Sequence, residues 1–151
     1  MTNTASKISN ADRWLNAAGQ VAKEAVWAPV AVYTVHHFLG EWFGHEPYVD
    51  PVMHFAGGAA VAFLFWRSIT IWQRQRGDFA AAKPVLLVFG LAVLVAMAWE
   101  LMEYLIFVYN GTTKWWTLLN TLRDLALGAT GAALLLAWLR RREQGARSAI
   151  S

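Results

Sequence analysis

The chain has 151 residues, 57% of them hydrophobic and only 15% charged, too few polar side chains to cover a soluble domain of this size. A net charge of +3 and a sequence pI near 9.5 would suit a nucleic-acid binder, but the basic residues flank apolar blocks, so no nucleic-acid partner is expected. With no cysteine, disulfides, thiolate metal sites and haem attachment are excluded.

In chain order, residues 1–24 form a polar tail of mixed charge, and no cleaved signal peptide is expected. Within this tail, Asn10 to Ala22 reads either as a short amphipathic helix lying on the membrane or as a mobile segment. Four apolar blocks follow, at about 25–43, 51–72, 84–109 and 117–139. Each approaches the roughly 20 residues a spanning helix needs. Pro51 and Pro84 sit where a helix tolerates proline, in its first turn, and Asp50 is placed to cap the second block. The stretch "NGTTKWW", 110–116, reads as a short turn, and Trp42, Trp115 and Trp116 as interfacial anchors. Residues 140–151 are a basic tail. The expectation is therefore an all-α, four-helix transmembrane bundle spanning 25–139 between two cytoplasmic tails.

Lysine and arginine set the orientation. Lys7, Arg13 and Lys23 precede the first span, and Arg67, Arg74, Arg76 and Lys83 surround the second connection. Arg140, Arg141, Arg142 and Arg147 follow the last span. That is eleven on one side against Lys114 on the other, with Arg123 inside the fourth span. The positive-inside rule puts both termini in the cytoplasm of a bacterial inner-membrane protein and the acidic loop "GEWFGHEPYVD", 40–50, outside.

With that orientation, every span carries ionisable groups in its outer half, while the inner halves are nearly pure hydrocarbon. His54 lies three residues inside span two, Glu100 and Glu103 lie nine and six residues before the end of span three, and Arg123 and Asp124 lie six and seven residues into span four. His36, His37 and Glu41 are at similar depth in span one. Asp50, His54 and Gly58 share one helical stripe, Asp124, Gly128 and Gly131 another, and Tyr33, His37 and Glu41 a third. Small residues let membrane helices approach closely, so Gly57, Gly58, Gly128 and Gly131 are expected to pack at the bundle centre, with the acids meeting above them.

Three carboxylates against one permanent cation at that depth require shared protons, a bound cation, a protonated His54 or access to water. His54, Glu100, Glu103 and Asp124 form a donor set suited to a divalent transition metal, although no dedicated metal motif spaces them. Structural roles stand beside these: Asp50 as a cap, His54 bonded to a backbone carbonyl, and one glutamate salt-bridged to Arg123. His36, His37 and Glu41 read as solvated, and Tyr104 and Asn120 as supporting hydrogen bonders. Adjacent helical residues point about 100° apart, so Arg123 and Asp124 are expected to find partners on other helices. There is no nucleophile elbow or phosphate-cradling loop, so any enzyme would rest on carboxylate and histidine acid–base chemistry.

"DPVMHFAGG" in span two, "WELMEY" in span three and "RDLALGATGA" in span four resemble the YjdF and VanZ-like group of small bacterial membrane proteins. The resemblance covers roughly residues 48–133. It singles out Asp50, His54, Glu100, Glu103, Asp124 and Gly131. Glu103 stands where VanZ-type members usually carry Gln, and Gly128 where they often carry Asn, which favours the YjdF side. The group implies a site and no defined reaction. The functional expectation is a cluster of Asp50, His54, Glu100, Glu103, Arg123 and Asp124 that binds a cation, or the headgroup of a lipid or lipid-linked envelope precursor. The alternatives are an enzyme acting on such a lipid and a structural or assembly subunit whose charges lock the bundle. An oligomer is compatible with each.

Overall fold

A computed structural model describes residues 10–43, 49–77, 83–111 and 117–148. These form five helices with no strand among the described residues: α1 (Asn10–Glu24), α2 (Trp27–Phe43), α3 (Val49–Arg76), α4 (Val85–Tyr109) and α5 (Leu118–Ser148). The acidic loop around 44–48, Lys114, Trp115 and Trp116 lie outside the described residues, as do the side chains of Glu41 and Arg147.

Local chemistry sets several boundaries. Thr117 caps α5 by accepting a hydrogen bond from the Asn120 amide at 3.1 Å. Gly77 and Gly111 end α3 and α4 at φ +78° and +66°, the left-handed conformation that glycine adopts without a β-carbon clash. Two ends differ from the sequence expectation. Helix α3 starts at Val49, which puts Asp50 inside the first turn and not at a cap. Helix α5 continues well past Leu139 to Ser148, because Arg, Glu, Gln and Ala are strong helix formers. There Arg142 lies 4.2 Å over the Trp138 ring, and Glu143 pairs with Lys83.

The tightest packing joins α3 to α5. A β-carbon added at Gly58 would overlap the Gly128 carbonyl, and one at Gly131 would overlap the carbonyl of Phe55. Gly57, expected to share this role, does not: an added β-carbon there meets nothing within 4 Å, because it is turned about 100° from Gly58. Helix α4 packs on α3 and α5. Below the glycines lies an apolar core of Ala62, Trp66, Val88, Ala92, Ala132 and Leu136. Helix α2 packs on α3 and touches α1, but its backbone approaches neither α4 nor α5. Helix α1 lies along α3, with Trp14 stacked on Trp72 at 3.8 Å and Glu24 paired with Arg67.

Three helices are long and apolar enough to cross a membrane, Val49–Arg76, Val85–Ile106 and Leu118–Ala146, with mean hydropathy 1.3, 2.4 and 1.4 over an 18-residue stretch of each. Their outer faces expose large apolar side chains such as Leu86, Leu94, Leu105 and Leu134, the surface expected against lipid. Helix α2 has 17 residues and falls short of that length.

Candidate functional site

At the end of the bundle away from the basic tail, the start of α3, the late part of α4 and the start of α5 converge on His54. Asp50 lies one turn before it on the same face of α3. Nε2 of His54 is 3.3 Å from Asp50 Oδ1 and 3.9 Å from Asp124 Oδ2. Nδ1 is 3.5 Å from Glu100 Oε1. The partners at both ring nitrogens are thus carboxylates, where a backbone carbonyl was one expectation.

Arg123 ties α5 to α3. Its Nε donates to Asp124 Oδ1 at 2.9 Å, and a terminal nitrogen donates to Asp50 Oδ2 at 2.8 Å. Separate partners were expected for Arg123 and Asp124, but the long arginine side chain curls back onto its neighbour and still reaches across the helix interface. Its ion pairs go to the two aspartates, and the expected bridge to Glu100 or Glu103 is not among them. Asp124 is 1% exposed and also accepts from Asn120 Nδ2 at 2.7 Å, so both of its oxygens are satisfied.

The two glutamates are placed differently. Glu103 Oε1 accepts from Trp99 Nε1 at 2.7 Å, one turn back on α4. Glu100 is 5% exposed, and its Oε1 accepts no hydrogen bond. The buried Thr121 hydroxyl lies beside Glu100, close enough to act on its charge but without a well-formed hydrogen bond. The expected metal set of His54, Glu100, Glu103 and Asp124 is therefore split by the imidazole. Donor atoms of Asp50, His54 and Asp124 lie within 4.8 Å of one another on one side, and those of His54, Glu100 and Glu103 do so on the other.

Two contributors were missed by sequence reasoning. His36, expected to be solvated, turns inward to bring Nε2 within 3.9 Å of Asp50 Oδ1, while its neighbour His37 is exposed. The i, i+4 spacing of Trp99 and Glu103 was the available signal for the tryptophan. Tyr33 stacks on His37 at 6.4 Å, in keeping with the stripe the two share, and its ring also makes an edge contact with Trp99 at 5.9 Å.

That aromatic contact spans the gap between α2 and α4. Behind it is a cavity of about 380 Å³, lined by apolar groups including Met53, Gly57, Val61 and Ala96, with His36, His54 and Asp124 among its few polar walls.

Fold and site together define a small all-helical membrane protein with an ionisable cluster at one end of its bundle. The chain belongs to the family described as "Predicted membrane protein (DUF2238)", whose model matches residues 23–145. No curated protein and no solved structure matches it. Membership bears out the expectation of a small membrane-protein family, without reaching the narrower YjdF or VanZ-like grouping.

Proposed function

We propose that the protein is a four-span bacterial inner-membrane protein, with both termini cytoplasmic, that binds a lipid or lipid-linked envelope precursor. In this reading the cluster of Asp50, His54, Glu100, Glu103, Arg123 and Asp124 lies in the outer half of the bilayer and takes the headgroup. The membrane domain is 25–139, flanked by the tails 1–24 and 140–151, and the chain stands on the YjdF side of its group. Helix α2 serves as the remaining span: its 17 residues reach about 25 Å, close to the roughly 30 Å of hydrocarbon.

One observation carries the proposal. The cavity between α2, α3 and α4 joins apolar walls to an acid–imidazole end, the amphipathic layout of a single lipid. It flanks the gap where the backbones of α2 and α4 stay apart, so a chain can enter sideways from the membrane by displacing the Tyr33 and Trp99 side chains that bridge it. His54 and Asp124 line the cavity, and Arg123, bonded to Asp124 and 42% exposed, stands next to it, accessible to an anionic headgroup oxygen.

Gly57→Leu tests this. Its side chain would project into the cavity without meeting α5, since a β-carbon there has open space. Protein purified in mild detergent is expected to carry one enriched lipid by mass spectrometry, and Gly57→Leu to lose it while folding normally. Equal lipid profiles in both proteins would refute the proposal.

A further inference from the structure

We infer that His54, Glu100 and Glu103 hold a divalent transition-metal ion on the Nδ1 side of the imidazole. This rests on reading the cluster as a ligand site, but on different atoms from those that define the cavity.

The two sides of His54 are chemically unequal. On the Nε2 side, Arg123 donates to both Asp50 and Asp124, and Asn120 fills the remaining Asp124 oxygen. A permanent cation already stands there, and its charge repels a second. On the Nδ1 side are Glu100 and Glu103, and neither ion-pairs with Arg123.

Tautomer chemistry sharpens the difference. A neutral imidazole carries one hydrogen, and the carboxylate nearest to His54, Asp50 at 3.3 Å, faces Nε2. With the hydrogen on Nε2, the Nδ1 lone pair points at the lone pairs of Glu100 Oε1, 3.5 Å away. That oxygen is buried and accepts no well-formed hydrogen bond. The Thr121 hydroxyl beside it is neutral, and a proton on Nδ1 would offset only one of the two glutamate charges. Bare acceptors aimed at one another in a buried site call for a positive charge between them.

A metal ion meets that need. Oxygen and nitrogen donors sit about 2.0–2.2 Å from a divalent ion, which sets them roughly 3–4.5 Å apart. Donor atoms of His54, Glu100 and Glu103 all lie within 4.8 Å of one another. Two carboxylates and a neutral imidazole around a dication sum to zero charge, and one imidazole with two carboxylates suits Mn2+, Fe2+ or Zn2+. The supporting contacts are those of a metal site: the far nitrogen of His54 faces the Asp50 carboxylate, and the Trp99 indole orients Glu103.

The test uses full-length protein in detergent, stripped with chelator and dialysed against Mn2+ or Zn2+, with bound metal measured by mass spectrometry. Wild type is expected to retain one ion per chain. Glu100→Gln should lose it, and Trp99→Phe, which removes the orienting hydrogen bond while keeping an aromatic ring against Tyr33, should weaken it about 10- to 100-fold. Should Glu100→Gln fail to fold, wild type and Trp99→Phe still decide. Wild type binding no more metal than a detergent blank would overturn the inference and assign the gap to a proton. Binding unaffected by Trp99→Phe and by a folded Glu100→Gln would overturn it by placing the ion elsewhere. An enriched lipid without metal leaves the lipid reading standing alone, and metal without lipid leaves the ion site standing alone.

Discussion

Adding one methyl group at Gly58 should damage this protein, while adding it one residue earlier should not. At Gly58 the new β-carbon overlaps the backbone carbonyl of Gly128, and a backbone cannot rotate aside, so α3 and α5 must separate. Overpacking of a close interface costs about 1–3 kcal/mol, and the upper end applies when the obstacle is backbone. Helix propensity offsets about 0.5–1 kcal/mol of this, because alanine is the better helix former. Gly58→Ala is therefore expected to lose roughly 2–2.5 kcal/mol. At Gly57 the β-carbon meets nothing within 4 Å, so only the propensity gain remains, and Gly57→Ala should be neutral or more stable by about 0.5–1 kcal/mol. Thermal unfolding in detergent, followed by the emission of the nine tryptophans, resolves the difference. Gly128 also sits 3.6 Å from the His54 carbonyl as measured from its added β-carbon, so prying the helices apart should weaken metal and lipid retention in Gly58→Ala. Equal stability for the two variants, or the reverse order, would refute the proposed packing of α3 on α5.

Three other outcomes are expected. Asp124→Ala, which removes the acceptor of both Arg123 Nε and Asn120 while Arg123 keeps Asp50, should cost about 1–3 kcal/mol, and a double-mutant cycle with Arg123→Ala should show coupling. Because the chain has no cysteine, single cysteines at Ser6 or Ser148 can be labelled with an impermeant maleimide. Both should react only after the inner membrane is opened, and labelling from outside would reverse the assigned orientation. Trp14→Ala should remove about 0.5–1.5 kcal/mol of ring stacking on Trp72 and speed proteolysis at the α1–α2 junction, leaving the rest of the bundle intact.

The helices, three of the apolar spans and the meeting of the charged residues at one end of the bundle were legible because they depend on one coordinate, position along the chain. Hydrocarbon blocks, flanking arginines and acids at matching depth need no knowledge of how each helix is rotated. What failed depended on rotation. Gly57 and Gly58 differ by about 100°, and only Gly58 meets α5. His36 and His37 differ by the same angle, and only His36 turns toward Asp50. Arg123 and Asp124 were expected to diverge for this reason, but the arginine stem is long enough to bend back, a freedom that spacing does not encode. The overrun of α5 into the basic tail is a different case, since propensity predicts it and the end of the apolar block hid it.

The placement of the two glutamates argues for a purpose beyond locking the bundle. Within Val85–Ile106 of α4 there are twelve Leu, Ile, Phe or Val residues. At about 0.3–0.6 kcal/mol each, they favour insertion by roughly 4–7 kcal/mol. Two ionised carboxylates at depth oppose it by a comparable amount, about 2.5–3.5 kcal/mol each by analogy with aspartate at a helix centre. The most apolar span of the protein therefore spends nearly all its insertion energy to carry Glu100 and Glu103. A structural lock would recover that cost by pairing them with Arg123, yet the arginine's ion pairs go to Asp50 and Asp124. Glu103 takes a neutral indole, and one oxygen of Glu100 takes no hydrogen bond at all. Among the described residues, the one encoded group within ion-pair reach of Glu100 is His54, and a single imidazolium leaves one of the two glutamate charges unmatched, which a cation acquired by the folded protein would balance.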